Sequence, residues 1–242
     1  MASKKLTEFN ASVDNYIQDS EGLISSDQID EQCKAALEEY SHDAPDETVA
    51  ELAGDGGQYY GLTAKLTSWV DGFSTILSVE YPAASVAEDE EPQYLEGEDF
   101  VIIEALADST PTEYLYFPNH SPDSDETVRA TYTLPYAFSG GTPAVDVPAQ
   151  HYYAICALAA SHCLELMAAK ASSARFDFSA DGMTIKRGDL AEKYEGLAAK
   201  WRQVYYKKLG IPETGVKAGG ATADWDVLAD GADYIFHGRR TR

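Results

Sequence analysis

Apolar residues recur at helical spacing through the first forty positions. Leu6, Phe9, Val13, Tyr16 and Ile17 fall on one face, which predicts an amphipathic helix over 4–19. Ser25 and Gln28 form a Ser-x-x-Gln capping pattern. Behind it Ile29, Cys33, Ala36, Leu37 and Tyr40 share a face, predicting a helix over 26–41. A short helix over 46–53 is expected next, broken at Gly54-Asp55-Gly56-Gly57. Then the pattern changes. Residues 73–81, 99–105, 113–117 and 127–134 are rich in β-branched and aromatic side chains and read as strands. Pro82 and Pro135 end two of them, and polar or acidic loops at 88–92, 119–126 and 139–143 separate the rest.

The chain then returns to helical period. Pro148 suits a first helical turn, and Tyr152, Ile155, Cys156, Ala159, Cys163 and Leu166 form one stripe of a helix over 149–171. Its many alanines leave little side-chain bulk, which favours close packing within or between subunits. A flexible piece over 172–187 is expected next. Asp189 and Glu192 resemble a capping box, and Leu190, Tyr194, Leu197, Trp201 and Tyr205 follow at three- and four-residue steps over 189–209. Gly210 stands where a helix C-cap belongs, after Lys207 and Lys208 in the last turn. Residues 212–223 are small and linker-like. Beyond them Trp225, Val227, Leu228, Tyr234, Ile235 and Phe236 lead to a basic end at Arg239, Arg240 and Arg242. Such a tail either folds back on its own domain or docks on another protein; both bury its aromatics. The expected fold class is α+β: mainly an α-helical bundle, with a small antiparallel β-segment inserted at about 73–134 and an extended C-terminal tail. Residues 1–211 are expected to form the helical domain with its β-rich insertion, and 212–242 a linker and docking arm.

Charge sharpens this picture. The 242 residues carry 41 acidic and 18 basic side chains, a net charge of −23. Residues 1–150 hold 30 acids and 5 bases, whereas 151–242 hold 11 and 13. A polyanionic first part is repelled by phosphates, so general nucleic-acid binding is not expected. The charge either serves solubility or marks a bipolar protein whose ends meet different partners. At 44% hydrophobic the chain is too apolar for disorder along its length. No apolar run reads as a membrane span, and the N-terminal residues lack a secretory apolar core. Three cysteines, Cys33, Cys156 and Cys163, do not make a disulfide framework and suit a reducing compartment.

Candidate chemistry is sparse. His42, His120, His151, His162 and His237 show no metal-ligand spacing, and there is no CxxC. His151 and His162 read as packed or surface residues. Asn119, Asp123, Asp125 and Glu126 lack the glycine and distal glutamate of a calcium loop. No nucleophile elbow, Walker A sequence or dinucleotide fingerprint is present. No catalytic, cofactor or metal residue is assigned, and no enzyme activity is expected.

Three stretches, taken in order, resemble one family. The first is residues 69–82, Trp69 to Pro82, with Pro92-Gln93-Tyr94-Leu95 after it. The second is Val128 to Pro135, leading through Thr142–Pro148 into the alanine-rich helix. The third is Asp189–Tyr194, through Leu197–Trp201, to Tyr205-Tyr206 and Leu209-Gly210. Over roughly residues 60–210 this order resembles the head–tail connector (adaptor) proteins of long-tailed bacteriophages. The resemblance implies a non-enzymatic structural virion protein of the neck, made in the host cytoplasm. It implies a homo-oligomeric ring, commonly a dodecamer, beneath the portal protein. The ring would extend the DNA channel without gripping DNA and bridge to the next neck or tail protein; no cofactor or membrane is implied. The family core is a helical bundle, and strands at 73–134 depart from its smallest members. In the family the C-terminal segment tends to reach into the portal, so Trp225, Tyr234, Ile235, Phe236, Arg239, Arg240 and Arg242 are candidate portal-docking residues. Tyr152, Ile155, Ala159, Leu166, Tyr194, Leu197, Trp201 and Tyr205 are candidate helix-packing residues, on surfaces that ring contacts could use. The alternatives are a head-closure or tail-terminator protein, richer in strands, or an acidic DNA-mimic inhibitor that binds a basic partner.

Overall fold

The computed structural model describes residues 2–19, 22–84, 91–107, 110–139, 143–173, 178–180, 183–185 and 187–211. In chain order they form β1 (Ala2–Lys5), α1 (Leu6–Ile17), α2 (Ser26–Asp43), β2 (Asp46–Ala53), β3 (Tyr59–Gly61), α3 (Leu62–Lys65), β4 (Ile76–Glu80), β5 (Val101–Ala107), β6 (Thr110–Tyr116), β7 (Thr127–Leu134), β8 (Ala144–Val147), α4 (Tyr152–Ser173), β9 (Phe178–Ala180), β10 (Met183–Ile185) and α5 (Arg187–Leu209). The candidate portal-docking residues Trp225, Tyr234, Ile235, Phe236, Arg239, Arg240 and Arg242 lie outside the described residues.

The expected mainly helical bundle is corrected to a mixed α/β fold. Strands are not confined to an inserted segment at 73–134. Antiparallel sheets run β2-β7-β4 and β3-β6-β5, β1 pairs with β8, and β9 pairs with β10. The expected helix over 46–53 is β2, paired along its whole length with β7 from Asp46 opposite Leu134 to Ala53 opposite Thr127. Its side chains alternate between more and less buried, the period of a strand. Eight residues are too few for a helix to persist on propensity alone, and a neighbour offering a full ladder decides the conformation. The stretch after α4, read as flexible, contains the short β9–β10 pair.

Two hydrophobic cores follow. One gathers α1, α2, β8, α4 and α5 around Phe9, Val13, Leu37, Tyr40, Ile155, Leu158 and Tyr205. The other is formed by Leu52, Tyr60, Leu62, Leu66, Trp69, Val79, Leu115, Phe117, Val128 and Tyr132, all between residues 52 and 132. α4 is long and apolar enough to cross a bilayer by composition, yet most of it is buried inside the protein. At the start of α2 the predicted capping box forms: Gln28 N donates to Ser25 Oγ at 3.3 Å, and Ser25 N to Gln28 Oε1 at 3.0 Å. Gly210, at φ +69°, ends α5.

A polar row crosses the β2-β7-β4 sheet. Glu51 and Glu80 lie opposite Arg129 on its two sides. The Arg129 guanidinium donates to Glu51 Oε1 and Glu80 Oε2, both at 2.9 Å, and to the Ala84 carbonyl at 3.2 Å. Glu80 is buried, and its other oxygen accepts from Ala84 N at 2.7 Å. Arg129→Met leaves that buried carboxylate without its counter-charge, an uncompensated desolvation. Thermal unfolding is expected to show a large drop in Tm for the single variant, most of it recovered in Arg129→Met/Glu80→Gln. A double variant as unstable as the single one would show the pair is not what holds the three strands.

Candidate functional site

The candidate helix-packing residues are spent inside one chain. Tyr152, Ile155, Ala159 and Tyr205 are buried, and Leu166, Tyr194, Leu197 and Trp201 pack half-buried against the same core. Trp201 of α5 stacks on Tyr16 of α1, with ring centroids 4.4 Å apart. Tyr152 donates its hydroxyl hydrogen to the Glu8 carbonyl at 2.9 Å. The Tyr205 hydroxyl donates to Asp43 Oδ2 at 2.6 Å, tying the end of α5 to the end of α2. Burial, and then that carboxylate, push the Tyr205 pKa upward. His162 of α4 sits 3.0 Å from Glu39 of α2, and this hydrogen bond holds the Glu39 carboxyl below its usual range. His151 accepts or donates at 2.7 Å with the Tyr40 hydroxyl, and burial lowers its pKa. Both histidines thus tie secondary-structure elements together.

Where the helical layer meets the sheets, a groove of about 590 Å³ opens. Leu37, Val70, Phe73, Tyr136 and Phe138 supply its apolar lining, with Lys34, Glu38, His42 and Asp71 as polar neighbours. The junction is fastened by Ser41, whose hydroxyl donates to the Leu37 carbonyl at 2.7 Å and accepts from Tyr136 N at 2.9 Å. The His42 ring lies 4.9 Å from that of Phe73. The polar groups have mixed charge, and the groove holds no paired nucleophile and base.

A second surface is the outer face of the β3-β6-β5 sheet. Tyr59, Tyr116 and Val101 lie directly opposite one another across three strands, and Gly61, Tyr114 and Ile103 form the next row on that face. Tyr59 and Tyr116 stack with centroids 4.6 Å apart. Tyr59 is 56% exposed and Val101 44%. The opposite face buries Leu115 and Tyr60, and there Glu113 accepts from Trp69 Nε1 at 3.0 Å. The strand over 113–117 was legible from its composition; its exposed tyrosine face was not, because composition does not say which face is covered.

The other polar clusters are structural. Glu126 Oε2 accepts from Tyr81 at 2.6 Å and from Asp123 N at 2.8 Å, closing the acidic loop after β6. That loop presses so close to Gly54 that a Cβ there would meet the Asp123 carbonyl oxygen at 2.1 Å. Only glycine fits. Burial pushes the Cys156 thiol up to about 11 and Cys163 up to about 12, and raises Cys33 as well. These thiols stay protonated at neutral pH and are poor nucleophiles or ligands. Among the described residues no group of three or more His, Cys, Asp or Glu is placed to hold a metal ion. Compared with known proteins, the chain matches no family model and no characterised sequence.

Proposed function

We propose that this protein is a structural virion component, a head–tail adaptor. In this reading it forms a ring beneath the portal, extends the DNA channel and carries the next neck or tail protein. The observation that carries the reading is the concentration of acidic charge in the sheet region, with α5 as its basic counterpart. Residues 46–134, the sheet region, hold 19 acids and two bases, whereas α5 holds six bases and three acids. A wall of carboxylates repels passing phosphates and lets a duplex slide rather than bind. Of the stretches that resemble adaptors, the first two meet in space. The first and second contribute β4 and β7, which are paired strands, and the third is α5, packed along α4. With α4 buried, ring contacts fall to other surfaces, and the C-terminal segment is assigned to the portal.

The strand content favours one second reading, a head-closure or tail-terminator protein acting at the same junction. Electron microscopy of the purified protein mixed with the portal encoded beside it separates the outcomes. The expected result is a ring of added density on the narrow end of the portal. A portal that stays bare at high protein excess would overturn the adaptor reading.

A further inference from the structure

We propose that copies of this chain associate head to tail, a cationic patch at the end of α5 on one copy seating on the tyrosine face of the β3-β6-β5 sheet of the next. The patch begins with lysines the fold does not use. Lys5, Lys200, Lys207 and Lys208 are exposed, and among the described residues none of them has a carboxylate partner. From residue 196 to its end α5 has four bases and no acid. An exposed ring lies among these cations. Lys4 Nζ stands 5.0 Å over the Tyr152 ring, that ring lies 5.1 Å from Tyr153, and Lys208 Nζ stands 5.9 Å over Tyr153. Tyr153 is 54% exposed. Glu8, beside Lys5, is already held by Lys4 at 3.0 Å.

The tyrosine face has the opposite character. Gly61, Val101 and Ile103, in register with Tyr59, Tyr114 and Tyr116, add no charge to it. Its row of Tyr59, Tyr116 and Val101 ends beside a turn in which Asp99 N donates to the Glu96 carbonyl at 2.9 Å. Glu96 and Glu98 of that turn are exposed. From residue 66 to residue 128 the chain has 15 acids and no lysine or arginine. An exposed apolar face rimmed by charge of one sign is a docking surface for a partner of the other sign. Tyrosine rings accept lysine ammonium groups on their faces, and the lysine patch brings both cations and a ring.

Charge also selects the arrangement. A two-fold contact through the tyrosine face would set Glu96 and Glu98 against their own copies. A two-fold contact through the lysine patch would set lysine against lysine. Only the head-to-tail contact pairs opposite signs. The two surfaces belong to different cores, so one copy offers both. Size sets the strength. β5 and β6 are seven residues each, which makes a three-stranded face of about 24 Å by 14 Å, or about 340 Å². A stable interface takes about 800 Å² from each partner. The contact is therefore weak, and charge decides it. Repeated, it builds a ring or a filament; for closure into a ring it rests on the adaptor reading.

Sedimentation velocity of the full-length protein is the test. In about 20 mM salt the average sedimentation coefficient should rise with protein concentration, and about 500 mM salt should weaken the association about tenfold or more. Lys207→Glu/Lys208→Glu and Glu96→Lys/Glu98→Lys should each be monomeric, with an unchanged circular dichroism spectrum. Mixed in equal amounts, the two variants face each other with opposite charges again and should associate as the wild type does. A wild type that stays monomeric at low salt and high micromolar concentration overturns the proposal and leaves both surfaces to a foreign partner. A variant that associates like the wild type overturns it, and so does a mixture that stays monomeric. No portal is present, so none of these outcomes decides the adaptor reading, which the microscopy tests by itself.

Discussion

Raised above pH 10, the protein is expected to unfold cooperatively before pH reaches about 12. Five tyrosines, Tyr40, Tyr60, Tyr132, Tyr152 and Tyr205, are buried, and burial is the first cause of the raised pKa of each. Tyr152 is pushed up to about 12. Unfolded tyrosine ionises near pH 10 and unfolded cysteine near 8.5. Because the folded pKa values are raised, these groups support the fold fully below the unfolded values. That support is lost as pH rises through the window up to the folded values. The three buried thiols start the loss near pH 9, and the tyrosines steepen it from pH 10. Each group removes up to about 1.4 kcal/mol per pH unit. The three with the largest shifts, Tyr40, Tyr152 and Tyr205, together remove up to about 4 kcal/mol per unit, against a total stability of about 5–15 kcal/mol. Circular dichroism and tyrosinate absorbance should therefore change together in one step. A smooth titration of all sixteen tyrosines about pH 10, with the helical signal intact, would contradict the burial described here.

Phe9→Ala is expected to cost about 3–5 kcal/mol, the range for deleting a buried phenyl ring. Phe9 is fully buried and touches elements distant in sequence. Its ring lies 5.3 Å from Phe138, beyond β7, and 4.8 Å from Tyr152 at the start of α4, edge to face in both cases. The cavity would open beneath the Tyr152 hydroxyl network, which already ties Glu8 and Ser12 of α1 to α4. Phe9→Leu fills most of that space and should cost about 1.5 kcal/mol or less. Urea unfolding measures both, with the midpoint shifting and the slope preserved. A loss under 1 kcal/mol for Phe9→Ala would mean that α1 is not fixed between α4 and the segment after β7.

The four long helices, α1, α2, α4 and α5, were legible because each carries its own signal; the one-turn α3 was not. The Ser25–Gln28 cap and the Ile29, Cys33, Ala36, Leu37, Tyr40 stripe place α2 to within two residues at its C-terminal end. β7 was also legible, since alternation over 127–134 coincides with a strand buried on one face. β2 was not. Its acidic side chains at Asp46, Glu47 and Glu51 conceal a strand that pairs along its whole length with β7, where Arg129 faces Glu51. β1 and β8 are four residues each and have no sequence signal apart from one another. Of the surfaces, the stripe of aromatics on α5 could be read but not its destination inside the chain. The groove brings together residues 34–42, 70–73 and 135–138, a conjunction no local pattern reveals.

The two cores have different histories on the ribosome. Every pairing in the β2-β7-β4 and β3-β6-β5 sheets joins residues between 46 and 134, so that core is complete once residue 134 has emerged. The helical core is split: α1 and α2 are made first, while α4 and α5 follow only after the sheets. At ordinary synthesis rates α1 and α2 wait on the order of ten to thirty seconds for α5. For that interval Phe9, Val13, Leu37 and Tyr40 have no partners from α4 or α5, and a nascent chain carrying such a face is a natural client for a holding chaperone.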